Sequence, residues 1–139
     1  MSNGDPQAEL LNTIIQGVDA AMSVIDEIEA GLIDCSKRLR VDPSNETFTA
    51  FSAGIANLSD LVALMQEIRK GFEHLQNSPV SPEEIAVFGE SVGLFREMEE
   101  AMERKDWITL ADLIQYEISP LIIKSKQEFI AIKERLSAH

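Results

Sequence analysis

The chain has 139 residues, a mass of 15.4 kDa and a net charge of −12, from 24 acidic against 12 basic side chains. That is the length of one domain, expected to occupy residues 1–139, and a composition 45% apolar and 26% charged excludes a disordered chain. A pI near 4.5 argues against nucleic acid and anionic membranes as partners, and one cysteine excludes an internal disulfide.

Residues 1–7 are polar and are expected to be a disordered start without a targeting signal. From about Ala8 to Arg40 the apolar residues recur at helical spacing, with Leu11, Val18, Ile25, Leu32 and Leu39 in one row and Ile14, Ala21, Ile28 and Cys35 beside it. A stripe this wide suits a helix packed into a bundle. Val41-Asp42-Pro43-Ser44 is a break in which Asp42 or Ser44 caps the next helix and Pro43 suits its first turn. The second stripe, through Phe48, Phe51, Ile55, Leu58, Val62 and Met65, ends near Gln76. Both helices exceed the usual length, and Gly31 and Gly54 are the places to expect a hidden break.

After Asn77-Ser78-Pro79-Val80, the run Ser81-Pro82-Glu83-Glu84 reads as a capping box opening the third helix. Ile85, Phe88, Val92, Phe95, Met98 and Met102 carry that helix to Arg104. Asp106 caps the fourth, whose apolar face is Leu110, Leu113, Ile114, Ile118 and Leu121. Pro120 predicts a kink or break, after which Phe129, Ile132 and Leu136 resume the pattern. Short breaks between long amphipathic segments predict an all-α, antiparallel up-down-up-down four-helix bundle with two long first helices, a shorter third and a Pro-kinked fourth.

The length mismatch predicts a surface. If helix three starts beside the end of helix two, it stops roughly ten residues short of the first hairpin's tip. Leu32, Ile33, Cys35, Leu39, Phe48 and Phe51 would then stand uncovered on a two-helix arm, with Gly31 and Gly54 facing one another at its base. Such a surface is expected to pack against a protein partner or a second copy. Alternatively, the hairpin folds over at its glycines and covers itself.

Chemistry is sparse. The only histidines are His74 and His139, and no Glu-x-x-His exists to build a di-iron site. Glu97, Glu99, Glu100 and Glu103 form a run that could hold a divalent cation but reads first as a solvated face. Cys35 lies in an apolar row with no histidine near it and reads as a packing residue. Met98 and Met102 read as core fillers or, less simply, as an adaptable groove. No glycine-rich phosphate loop is present, so no cofactor, metal or catalytic residue is implied. Residues 1–36 hold no Lys or Arg, whereas Lys124, Lys126, Lys133 and Arg135 sit on the last helix, so the first and last helices should attract one another.

The segment Asp106–Pro120 holds the only Trp and the only Tyr, and Trp107, Asp112, Tyr116 and Glu117 make it a second candidate surface. Its pattern, Asp-Trp followed by Leu-Ala-Asp-Leu, Tyr-Glu and a proline, resembles a segment of small uncharacterised all-helical proteins of bacteria over about fifteen residues. More distantly, the tight turn, the Trp and the long amphipathic helix are similar to helical flagellar export chaperones, although this chain has a longer first hairpin and a more extreme charge. The resemblance implies a bacterial, cytoplasmic protein that is not an enzyme. The functional expectation is a protein-binding module of adaptor or chaperone-like kind. The alternatives are a structural homodimer or regulatory subunit, and a divalent-metal binder using Glu97, Glu100 and Glu103.

Overall fold

The computed structural model describes residues 5–85 and 88–137, and the side chains of all of these except 88–92; within them every regular element is helical. The first helix, α1 (Pro6–Val41), starts earlier than its apolar rows indicate. Asp5 accepts the Gln7 N–H at 3.0 Å, and Pro6 fills the first helical position, where no N–H is needed. Pro6 and Gln7, expected to be disordered, are therefore helical, while the rest of that expectation, residues 1–4, lies outside the described residues. Gln7 also accepts the Gln76 N–H at 2.6 Å, which ties the start of α1 to the end of the second helix.

The second helix, α2 (Asn45–His74), is capped by Ser44, which accepts the Thr47 N–H at 3.3 Å, so Pro43 stays in the turn and not in the helix. Neither α1 nor α2 breaks at its glycine. At Gly54 and Gly71 the cost of a mid-helix glycine, about 1 kcal/mol relative to alanine, is offset by close packing. A Cβ at Gly71 would lie 2.8 Å from Ile14 Cγ1, and one at Gly54 would lie 2.9 Å from Leu32 Cδ2. Gly17 likewise meets Ile68, so each step up one helix is a step down the other and the pair is antiparallel. Gly31 has nothing within 4 Å, so it does not face Gly54 across the hairpin as expected.

The third helix also differs from expectation. Pro82–Glu84 is a single 3-10 turn, held by the Ser81 N–H donating to Glu84 at 2.7 Å. The chain then breaks because Ile85 turns inward and is wholly buried. The helix proper, α3 (Phe88–Glu103), starts later; the side chains of Phe88 and Val92 lie outside the described residues. Lys105, in the left-handed region at φ 54°, ends it, with the Asp106 N–H donating to Ala101 O at 2.9 Å.

The fourth rod is continuous and has three parts: α4 (Trp107–Leu113), a π turn (Ile114–Ile118) and α5 (Ser119–Ser137). Asp106 caps it through Thr109, whose N–H donates at 3.1 Å and whose hydroxyl donates at 2.6 Å. Pro120 neither breaks nor ends the rod. Its ring would collide with the Tyr116 carbonyl in an α-helix. The chain widens into the π turn just before it, where the Ser119 N–H reaches Ile114 O, five residues back.

Opposite charges join this rod to α1 as expected. Lys126 meets Asp26 at 2.7 Å, Lys133 meets Asp19 at 2.5 Å, and the Ser119 hydroxyl donates to Glu29 at 2.9 Å. Arg135 turns instead to Glu84 on the connector.

α2 holds an 18-residue window of mean hydropathy 1.4, long and apolar enough by composition to cross a membrane. Its outward face is rich in small residues such as Ala53, Ala56 and Ala63, which raise the mean without forming an oily run.

Gly71→Ala should destabilise the protein by about 1 kcal/mol, because the clash with stiff, buried Ile14 outweighs the helix gain. Gly31→Ala should stabilise it by up to about 1 kcal/mol, and denaturant titration of both variants checks this. The hydrogen bond from Arg135 holds the Glu84 carboxyl below its usual range. A lowered folded-state value gives stability that is present above the ordinary carboxylate range and lost as pH falls through the lower folded value. The stability gap between wild type and Glu84→Gln, at most about 1 kcal/mol at neutral pH, should therefore close on acidification below about pH 4.

Candidate functional surface

The surface expected on the hairpin tip is already covered. Residues 75–85 belong to a long connector whose Val80 and Ile85 plug the core beside the end of α2. The connector carries α3 toward the tip, so that Met102 and Glu103 stand beside Phe51 and Ser52. The tight turn at Lys105 then lays α4 across the tip. Trp107 packs on Phe48 with ring centroids 4.5 Å apart, tilted by 35°. Arg40 donates to Asp112 at 2.7 Å and to Gln115 at 3.0 Å. Leu32, Cys35, Leu39 and Phe51 are consequently buried, and Ile33 and Phe48 are only partly exposed. The arm reading fails because the connector is longer than a tight turn and shifts α3 along α2.

Cys35 is a core residue. Burial pushes its thiol above the usual range, with Arg38 opposing and Asp34 adding to the shift. Glu97, Glu99, Glu100 and Glu103 are all exposed along α3, and among the described residues no three His, Cys, Asp or Glu side chains gather as a metal site. Met98 is buried, while Met102 lines a groove of about 390 Å³ between α2 and α3, with Phe51 and Ile55.

The second candidate surface divides in two. Trp107 and Asp112 hold the tip closed, whereas Tyr116 and Glu117 remain exposed. Tyr116 belongs to a larger feature. Ile108, Tyr116, Ile123 and Ile130 are 53%, 63%, 46% and 39% exposed, and all four lie on the outer side of the fourth rod. Tyr116, Ile123 and Ile130 are seven residues apart, with exposed Pro120 and Gln127 between them, which is a heptad seam facing solvent. Ile108 is eight residues from Tyr116, a separation that would rotate it by about 80° in a pure α-helix. The π turn at Ile114–Ile118 lies around Tyr116, between Ile108 and Ile123.

The charge on this rod is also unlike the rest. Its acids, Asp112, Glu117, Glu128 and Glu134, are balanced by Lys124, Lys126, Lys133 and Arg135, so the whole net charge of −12 resides elsewhere in the chain. Sequence reasoning missed this stripe because the rod's inward face is stronger and drew the helical reading to itself. The signal was the seven-residue recurrence of Tyr116, Ile123 and Ile130.

A family described as a domain of unknown function (DUF8042) matches residues 16–128, most of the chain. The chain belongs to this family. The match runs from α1 through the π turn into α5, and so covers the seam at Tyr116 and Ile123. No curated protein and no solved structure matches the chain.

If the tip is sealed as described, Cys35 should react with a thiol reagent only slowly in the native protein and at once in denaturant. A native rate close to that of the unfolded chain would show an open tip.

Proposed function

We propose that this protein is a non-enzymatic, cytoplasmic protein-binding module, of adaptor or chaperone-like kind, built as an up-down-up-down bundle and acting through the outer face of its fourth rod. The observation that carries this reading is the exposed seam of Ile108, Tyr116, Ile123 and Ile130. An amphipathic helix with two apolar faces buries one in its own fold and keeps the other for a partner. Heptad spacing matches the ridges of a second helix, so the seam suits a helical partner better than an extended peptide. The π turn supports the reading, since such turns are frequent at functional sites and this one holds Tyr116. The high negative charge of the remaining surface keeps the module soluble and repels acidic competitors. The likeness of Asp106–Pro120 to bacterial helical proteins and export chaperones points the same way.

The test places a charge on the seam. Ile123→Glu and Ile130→Glu face outward, so their unfolding midpoints should stay near the wild-type value, with stability changed by about 0.5 kcal/mol or less. A partner captured from host extract by the wild type should protect the backbone amides of residues 107–137 from hydrogen exchange, and should bind either variant at least tenfold more weakly. A partner that binds both variants as tightly as the wild type would place the binding face elsewhere.

A further inference from the structure

We propose that the groove between α2 and α3 is a second docking face, apart from the fourth-rod seam, and that its occupant is a basic amphipathic helix of a partner protein.

The groove holds about 390 Å³. Buried Phe51 and Met98 form its floor, and the half-buried Ile55 and Met102 form its walls. Methionine is unbranched and flexible, so a wall that includes it adapts to apolar side chains of differing shape. Glu99 and Glu103, both exposed, stand on the α3 rim four residues apart, about 6 Å along the helix. The α2 rim offers Ser52 and no base. Among the described residues neither carboxylate meets a cation. Their charge is therefore open to an occupant, unlike that of Asp19, Asp26, Glu84 and Asp112, which the chain already pairs. An apolar floor under a rim of free carboxylates is complementary to a surface that sets Lys or Arg beside apolar side chains.

The backbone around the groove selects a helix. Its walls are the sides of two helices, whose N–H and C=O groups are spent within them, so no edge is present for an extended peptide to pair with. A strand laid there would leave its own backbone groups facing apolar side chains, whereas a helix satisfies them internally. Such a helix sets its apolar stripe on the groove floor and its flanking bases on Glu99 and Glu103. A second copy of this chain fits poorly. It too carries −12, and most of its bases, from Arg38 and Arg40 to Lys126, Lys133 and Arg135, already pair with its own acids.

The probe is a synthetic peptide of about fifteen residues, with Leu at helical spacing and Lys elsewhere. Its control has the same composition in an order that removes the apolar face. In methyl spectra of the full chain, the amphipathic peptide should shift the Met98 and Met102 signals and leave those of Met22 and Met65 in place. The shuffled control should bind about tenfold more weakly or worse. Ser52→Lys, at an exposed position, sets a base against the two carboxylates; it should keep wild-type helicity and weaken binding by about tenfold. Glu103→Gln should weaken binding and lessen its dependence on salt, whereas Glu97→Gln, on the same helix but off the groove, should leave affinity unchanged. Equal binding of the shuffled control, or equal losses at Glu97 and Glu103, would reduce the attraction to net charge and overturn the groove. Failure of the amphipathic peptide to bind at millimolar concentration would overturn it too. Ile123→Glu should bind the peptide as the wild type does. Loss of binding in that variant, with the Met98 and Met102 signals unmoved in the wild type, would move the site to the fourth-rod seam: the groove then fails and the proposed function stands.

Discussion

The sixteen-residue α3 is about 24 Å long, roughly half the span of the α1–α2 hairpin that it must help to cover. Everything else in the fold answers that shortfall. The connector after α2 fills the space at the open end of the hairpin with Val80 and Ile85, and α3 lies toward the other end. The turn at Lys105 then has to reverse the chain almost without length, which it does with one residue in the left-handed region. Only from that position can Trp107 reach Phe48 and Asp112 reach Arg40.

Closing the tip in this way fixes the fourth rod from its first turn, and the rod must then satisfy Pro120 in the middle of its length. The π turn removes the collision with the Tyr116 carbonyl without bending the rod away from α1, so Lys126 and Lys133 still meet Asp26 and Asp19 beyond it. The same turn carries Tyr116, which stays exposed on the outer side of the rod. One backbone adjustment therefore serves both the proline and the ion pairs beyond it.

The charge distribution follows the same division. α1 and α3 carry most of the acidic excess, and the fourth rod spends its cations on Asp19, Asp26 and Glu84. These exposed pairs add little stability each, about 1 kcal/mol or less. The rod itself carries as many bases as acids, and it also turns Ile108, Tyr116, Ile123 and Ile130 to solvent.

The sequence alone determined the helices and most of their ends. Apolar recurrence marked the buried faces of α1, α2 and the fourth rod, and Ser44 and Asp106 capped helices as their side-chain oxygens allow. These are local properties, set within one or two turns. The position of α3 was not legible, because whether Ile85 continues a helix or turns into the core depends on the space left beside α2. For the same reason Leu32, Cys35 and Leu39 looked exposed by length and proved buried by placement. Gly54 and Gly71 gave no sign of being contact points, since the side chains that crowd them come from the opposite helix. Tertiary packing decided which of the fourth rod's two apolar faces turned inward, and so which one was left for a partner.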